Sequence, residues 1–238
     1  MQPEPAEHPL HEALTGITTA LGLDPDSAPL GQLLTYLDLL QRWNATYNLT
    51  AVRDPQQMLT QHLADCLAVV GPMSRQLAPM HTTKGESSSS LRVLDVGSGG
   101  GLPGVVLAAM FPTWRVVCVD TVGKKAAFIR QVAVELGLCN LSAEHARVET
   151  LQAVPFDLIT SRAFSSLVDF TRLTRNLIAP QGVWMAMKGK TPADELSALP
   201  DEIEVFHVEP LVVPGLNAER CLIWMRLAAA AVGSSIAR

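Results

Sequence analysis

Two carboxylates and a run of glycines are the residues in this chain best spaced for chemistry. Asp95 stands two positions before Gly97, the first of five glycines that continue at 99, 100, 101 and 104. Asp120 follows Gly97 by 23 residues. Asp95 lies near the end of an apolar run, Leu91 to Val96, and Asp120 closes another, Trp114 to Val119. Glycine serves where the backbone must take positive φ, or where a ligand must approach the main chain closely. A helix expected from Pro103 adds unpaired N–H groups at its start. In an α/β protein, a loop of this kind after the first strand is where a nucleotide-like cofactor is held. A carboxylate accepts at least two hydrogen bonds and a ribose diol offers two donors. The offset of Asp120 is close to the ~20 residues at which an acidic group meets a ribose. Asp120 is equally placed to cap a helix beginning near Gly123, and the two roles are compatible.

The glycine spacing separates two cofactor classes. A dinucleotide fingerprint would need glycine at 102, where Leu102 stands, so a nicotinamide dehydrogenase is disfavoured. Asp95-Val-Gly97-Ser-Gly99-Gly-Gly101 instead resembles motif I of the S-adenosylmethionine-dependent methyltransferases. That resemblance implies a loop packed against the methionine half of the cofactor, with no pyrophosphate to cradle.

The elements that must position these groups follow from periodicity. Strands are expected at 91–96, 115–119, 141–146, 156–161, 182–187, 203–209 and 221–227. Helices are expected at 103–111, 122–136, 166–178 and 192–198. Such alternation gives an α/β fold, a doubly wound, mostly parallel Rossmann-like sheet. Residues 1–80 read as a helical extension before it. Leu30, Leu33, Leu34, Leu37, Leu40 and Trp43 form one apolar face of a helix near Pro29, with Ser27 as a candidate cap. A further helix from Pro55 would bury Met58, Leu59, His62, Leu63, Cys66, Leu67 and Val70. Residues 81–90, with four consecutive serines, read as a flexible linker to a cofactor-binding domain at 91–227. Residues 228–238 read as a loose tail.

Composition narrows the setting. Hydrophobic residues make up 48% of the 238 and charged residues 17%, which suits a globular core. Four scattered cysteines without a C-x-x-C pair read as reduced, buried thiols, with no metal site. No leader peptide and no apolar run of ~18 residues are visible, so the chain reads as cytoplasmic and away from membranes. The net charge of −5 is uneven: residues 115–190 carry ten basic and six acidic groups, the reverse of both ends. A local basic face can steer a polyanion even when the whole molecule is acidic.

The segment after the fourth expected strand narrows the acceptor. It reads Ile159-Thr-Ser-Arg-Ala-Phe-Ser-Ser166 and lacks the Asn/Asp-Pro-Pro-aromatic motif of enzymes that methylate exocyclic amines. No cysteine is placed to attack a pyrimidine, and no His–carboxylate pair to deprotonate a hydroxyl. An acceptor that is already nucleophilic, such as guanine N7, needs no base but only positioning and desolvation. Asn48-Leu-Thr-Ala-Val-Arg-Asp54 with His62 and Asp65, Asp95 to Gly104, Gly123 to Arg130, Ser161-Arg-Ala-Phe-Ser165 and Met187-Lys-Gly-Lys190 are together similar to one family, in the same order. That family is ribosomal RNA small subunit methyltransferase G (glucose-inhibited division protein B), and the likeness spans roughly residues 10–227.

The resemblance implies a bacterial cytoplasmic enzyme, taken as a monomer, that uses S-adenosylmethionine to methylate guanine N7 in the decoding region of 16S rRNA or the 30S subunit. It implies cofactor contacts at Gly97, Leu102, Val148, Glu149 and Arg162; Asp95, Gly99 and Gly101 of the glycine motif and Asp120 after the second strand complete the expected cofactor-binding set. Arg162 is also the expected catalytic residue, pairing with the cofactor carboxylate or an RNA phosphate. Arg53, Lys124, Lys125, Arg130, Lys188 and Lys190 are candidates for RNA contact, and Phe164 for stacking on a base. Two other readings stay open: a small-molecule methyltransferase on the same fold, and a non-catalytic S-adenosylmethionine-binding ribosome assembly factor.

Overall fold

The computed structural model describes residues 8–83, 90–162, 164 and 166–229. The extension comprises α1 (His11–Ala20), α2 (Leu30–Tyr47), α3 (Pro55–Met58), a π-helical stretch Leu59–Ala64, α4 (Asp65–Leu67) and α5 (Val70–Thr83). The apolar stripe of α2 is buried from Leu30 to Leu40. Asp54 opens α3 by accepting the Gln57 N–H at 2.8 Å, with Pro55 at the first helical position. All seven residues expected on the inner face from Met58 to Val70 are buried. Ser27 does not cap α2. Its hydroxyl donates to the Asp24 carboxylate within a turn of its own, and Pro29 takes the cap position without a side-chain bond.

Seven strands follow: β1 (Arg92–Val96), β2 (Arg115–Asp120), β3 (Leu141–His145), β4 (Phe156–Ser161), β5 (Ile178–Lys188), β6 (Ile203–Pro210) and β7 (Cys221–Leu227). Between them lie α6 (Gly104–Met110), α7 (Gly123–Glu135), α8 (Leu167–Thr174) and α9 (Ala193–Ser197). The sheet order is β3-β2-β1-β4-β5-β7-β6. β3 to β5 pair in parallel, while β7 runs antiparallel to both neighbours. The sheet is therefore the expected doubly wound one with a reversed strand near one edge.

Side chains alternate across it as the strand period requires. Val93, Leu158, Met185, Leu222 and Trp224 face one core, which they share with the extension, α6 and α7. Leu94, Ile159, Trp184, Ile223 and Met225 face the other, under α8. One expected boundary is wrong. The helix foreseen at 166–178 ends at Thr174, and β5 already begins at Ile178, ahead of Pro180 and Gly182. Ile178 pairs with Phe156, and a register shift before Leu158 absorbs the extra residues. Cys139 is exposed rather than buried, unlike the other three thiols. Of the expected linker, residues 81–83 complete α5 and 84–89 lie outside the described residues. So does the expected tail from residue 230.

Candidate active site

Parallel strands aim their carboxyl ends at one edge of the sheet. The order reverses between β1 and β4, which opens a crevice there. A cavity of about 440 Å³ occupies that edge. Its walls come from the ends of four strands: Val96 and Gly97 after β1, Val119 to Val122 with β2, Ala146 to Glu149 after β3, and Phe164 after β4. Gly97 has φ of 66°, a conformation that other residues adopt only with strain. Asp120 has one oxygen accepting Gly99 N–H at 3.0 Å and the other accepting Val122 N–H at 2.8 Å. It thus ties the glycine loop to the start of α7, while lone pairs on both oxygens remain for a further donor. Val119, Val122, Val148 and Leu173 give the cavity apolar faces suited to a flat ring. Glu149 stands on an exposed turn beside Arg147, 2.7 Å away. Its own N–H and then that guanidinium hold its carboxyl below the usual range.

Beneath the loop lies Asp95, 0% exposed. Its Oδ2 accepts Gly104 N–H at 2.9 Å, and among the described residues no group bonds its Oδ1. Burial pushes its carboxyl up to about 7, against the opposing pull of the Gly104 N–H and then Arg162. Gly104 is required here because a Cβ would collide with Cys118 Sγ and stand 2.9 Å from Asp95 Oδ2. Asp95 therefore shapes the loop from below. Gly99, Gly101 and Leu102 continue that loop outside the cavity wall, with Leu102 buried.

A second cavity, about 370 Å³, adjoins the other flank of the β4 end. Gln61, His62 and Asp65 of the extension face Arg162 after β4, Met187 to Gly189 at the end of β5, and Arg220 just before β7. The reversal of β7 brings its beginning to this edge. Asp65, whose side chain is 3% exposed, joins two guanidiniums: Arg220 Nε donates to Oδ1 at 2.8 Å, and Arg162 stands 3.5 Å from Oδ2. Arg162 also donates to the Gln61 carbonyl at 3.1 Å and reaches His62 Nδ1 at 3.5 Å. An arginine cannot accept, so the His62 proton lies on Nε2, facing Thr50 Oγ1 at 2.9 Å. Burial and then the Arg162 charge lower His62 to about 4, so it is neutral at pH 7 with both nitrogens engaged.

The remaining candidates divide. Lys188 lines the second cavity but is held by both Glu195 oxygens, at 3.0 and 2.9 Å. Phe164 lines the first, its ring 5.5 Å from Phe170. Lys125 lines it too, 3.7 Å from Asp120. Arg130 is anchored to the Ala143 carbonyl, and Arg53 to the Asn48 side chain. Lys124 and Lys190 are exposed. Sequence reasoning passed over Arg220, Glu195 and Tyr36, and gave Asp65 no role. Arg220, Glu195 and Tyr36 are single polar residues outside the segments that carried the resemblance, and the fold brings Arg220 to Asp65, Glu195 to Lys188 and the Tyr36 hydroxyl to the Gly100 carbonyl.

Comparison with known proteins agrees with this geometry. The family described as rRNA small subunit methyltransferase G matches residues 30–223. A ribosomal RNA small subunit methyltransferase G from Acidovorax sp. (strain JS42) is 58% identical over 223 residues, 92% of this chain and 95% of the relative. Its counterpart from Paracidovorax citrulli (strain AAC00-1) is 60% identical over 209 residues, covering 87% and 86%. Among solved structures, TrmN from Thermus thermophilus has the same fold, with a TM-score of 0.50 at 21% identity, covering 68% of this chain and 53% of that one. With the family match spanning most of its length and relatives sharing more than half its residues, the chain belongs to the rRNA small subunit methyltransferase G family, GidB.

Proposed function

We propose that this protein methylates N7 of a guanine in the decoding-region loop of 16S rRNA, acting as a cytoplasmic monomer, with the methyl donor in the first cavity and the target base entering from the second. As a member of its family it is a methyltransferase of small-subunit rRNA that uses S-adenosylmethionine. One observation carries the reading of the site: two cavities open at the carboxyl edge of the sheet, one walled by Gly97 and mostly apolar side chains with Asp120 and Glu149 among them, the other by Arg162, Arg220 and Lys188 around Asp65.

The donor supplies an electrophilic methyl on a sulfonium. The chain supplies placement. Gly97 allows close approach, Asp120 offers free lone pairs to a ribose, and Val148 with Leu173 flanks a ring. Glu149 stands where it can accept from an amino group, and Asp95, Gly99, Gly101 and Leu102 hold the loop in shape. Arg162 lines the second cavity just after β4, where a planar fork can meet an RNA phosphate or a donor carboxylate reaching across the β4 end. Phe164, in the first cavity, is available for stacking. Guanine N7 has a lone pair and no proton to lose, which suits a site where the one imidazole is neutral and fully engaged. Arg220 and Lys188 give the second cavity an excess of positive charge, which favours a polyanion over a small neutral metabolite. Lys124, Lys125 and Arg130 on α7, with Arg53 and Lys190, are the further phosphate contacts.

The test is transfer of labelled methyl to ribosomal RNA and 30S particles from cells lacking the protein, followed by mapping of the modified base. Label at N7 of one guanine in 16S rRNA is expected. Label at another atom would overturn the N7 assignment, and donor binding without transfer would mark an assembly factor.

A further inference from the structure

Most of the glycine loop is held by its own domain: Gly99 by Asp120, Gly104 by Asp95, Gly97 N–H by the Val119 carbonyl. Gly100 is the exception. Its carbonyl accepts the hydroxyl of Tyr36 at 2.7 Å, from the middle of α2, 64 residues earlier in the chain. Tyr36 is fully buried, and burial raises its hydroxyl well above the ordinary phenol value, so it remains a donor at every working pH. Leu40, one turn further along α2, lies against the same glycine: a Cβ on Gly100 would stand 3.1 Å from Leu40 Cδ1 and 3.7 Å from the Tyr36 hydroxyl. The rest of α2 is docked alongside. Gln32 donates to the Leu136 carbonyl at 2.8 Å, and the Trp43 and Tyr36 rings pack against Phe128 of α7 at 5.4 and 6.3 Å.

From this geometry we infer that Tyr36 is a positioning residue for methyl-donor binding, and that the helical extension is a structural half of the donor site. The inference rests on the first cavity being the donor site. Between Gly99 at φ of 59° and Gly101 at φ of 91°, the Gly100 peptide has no side chain of its own to fix its orientation. The Tyr36 hydroxyl supplies that constraint from outside the sheet. Without it, the part-buried Gly100 carbonyl loses its partner and turns to find another, and the loop carrying Gly97 no longer waits in the binding conformation.

Tyr36→Phe removes the hydroxyl and keeps the ring. Calorimetric titration of the full-length protein with S-adenosylmethionine, in the absence of RNA, should show a dissociation constant raised about five- to tenfold. The rate at saturating donor, and KM for RNA, should stay within about twofold. Amide exchange of Gly99 to Gly101 should speed up. Asn140→Ala is the matched control. Asn140 bonds the Ala108, Phe111 and Trp114 carbonyls at the opposite edge of the sheet, so its loss should lower the melting temperature without changing donor affinity. Should Tyr36→Phe fail to fold, Gly100→Ala strains the same contact through Leu40 and should weaken donor binding likewise. Wild-type binding with an unchanged constant in the folded variant would overturn the role of Tyr36. An equal loss in Asn140→Ala would reduce that role to general stability. Absence of donor binding by the wild type would overturn the donor-site reading, and this inference with it.

Discussion

The two cavities on the sheet edge are built from different materials. The first is walled mainly by backbone and apolar side chains, with Asp120, Lys125, Arg147 and Glu149 its charged groups and Asp120 engaged to the main chain on both oxygens. The second is lined by charged side chains from four separate elements, with Arg162 and Arg220 meeting on Asp65 and Lys188 held by Glu195. A small ligand that is the same in every turnover suits a fixed backbone mould. A large polyanion suits long side chains, whose heads can exchange a protein carboxylate for a phosphate. Lys188 on Glu195 and Arg220 on Asp65 are already paired in the way a phosphate would compete for.

The largest test of this division falls on the arginine just after β4. Arg162→Ala should lower the rate of rRNA methylation by about 100-fold or more, while the melting temperature moves only a few degrees. A variant of near wild-type rate would remove Arg162 from the mechanism. Next comes a crossed pair. Asp120→Asn should raise the donor dissociation constant about tenfold and leave KM for RNA little changed. Asp65→Asn should do the opposite, since both guanidiniums lose their charge partner while the donor cavity is untouched. Equal effects on both substrates from either variant would erase the distinction between the cavities.

A third test uses acidity. His62 is neutral in the fold at about 4 and ordinary near 6.5 when unfolded, so below pH 6.5 the unfolded chain binds the extra proton. The stability that His62 contributes is complete above pH 6.5 and is lost as pH falls toward 4. The gap in melting temperature between wild type and His62→Gln should therefore narrow over that window. A constant gap would contradict the burial of a neutral ring beside Arg162. The smallest effect belongs to the outer cations. Lys124→Ala and Lys190→Ala should each weaken RNA binding modestly and lower the slope of log affinity against log salt by about one, with donor affinity unaffected.

The donor side was far more legible in the sequence than the acceptor side, for a physical reason. A backbone mould needs glycines at set spacing and a carboxylate at a set offset, so Gly97, Asp95 and Asp120 announce themselves within one stretch of chain. The strand positions and the mostly parallel α/β class follow from periodicity in the same local way, whereas the strand order and the reversal of β7 appear only in the fold. The acceptor side is assembled from residues scattered over 160 positions, and nothing near Arg220 or Glu195 distinguishes them from surface charge. Tyr36 was hidden differently. It lies in an apolar stripe that reads as core, which it is, and its one polar atom meets the loop only after folding. Ser27 and the end of α8 were misread where a local turn or an early strand pairing prevailed over a plausible cap or helical pattern.

The antiparallel course of β7 has one more consequence. Because β6 ends and β7 begins at the carboxyl edge of the sheet, the turn between them, residues 211–220, brings Arg220 to the second cavity and forms no part of the first. Changes in the length or composition of that turn would retune which RNA shapes are admitted while leaving donor affinity alone. On the proposed division of the cavities, a single reversed strand thus gives the enzyme a place where target choice can evolve separately from methyl supply.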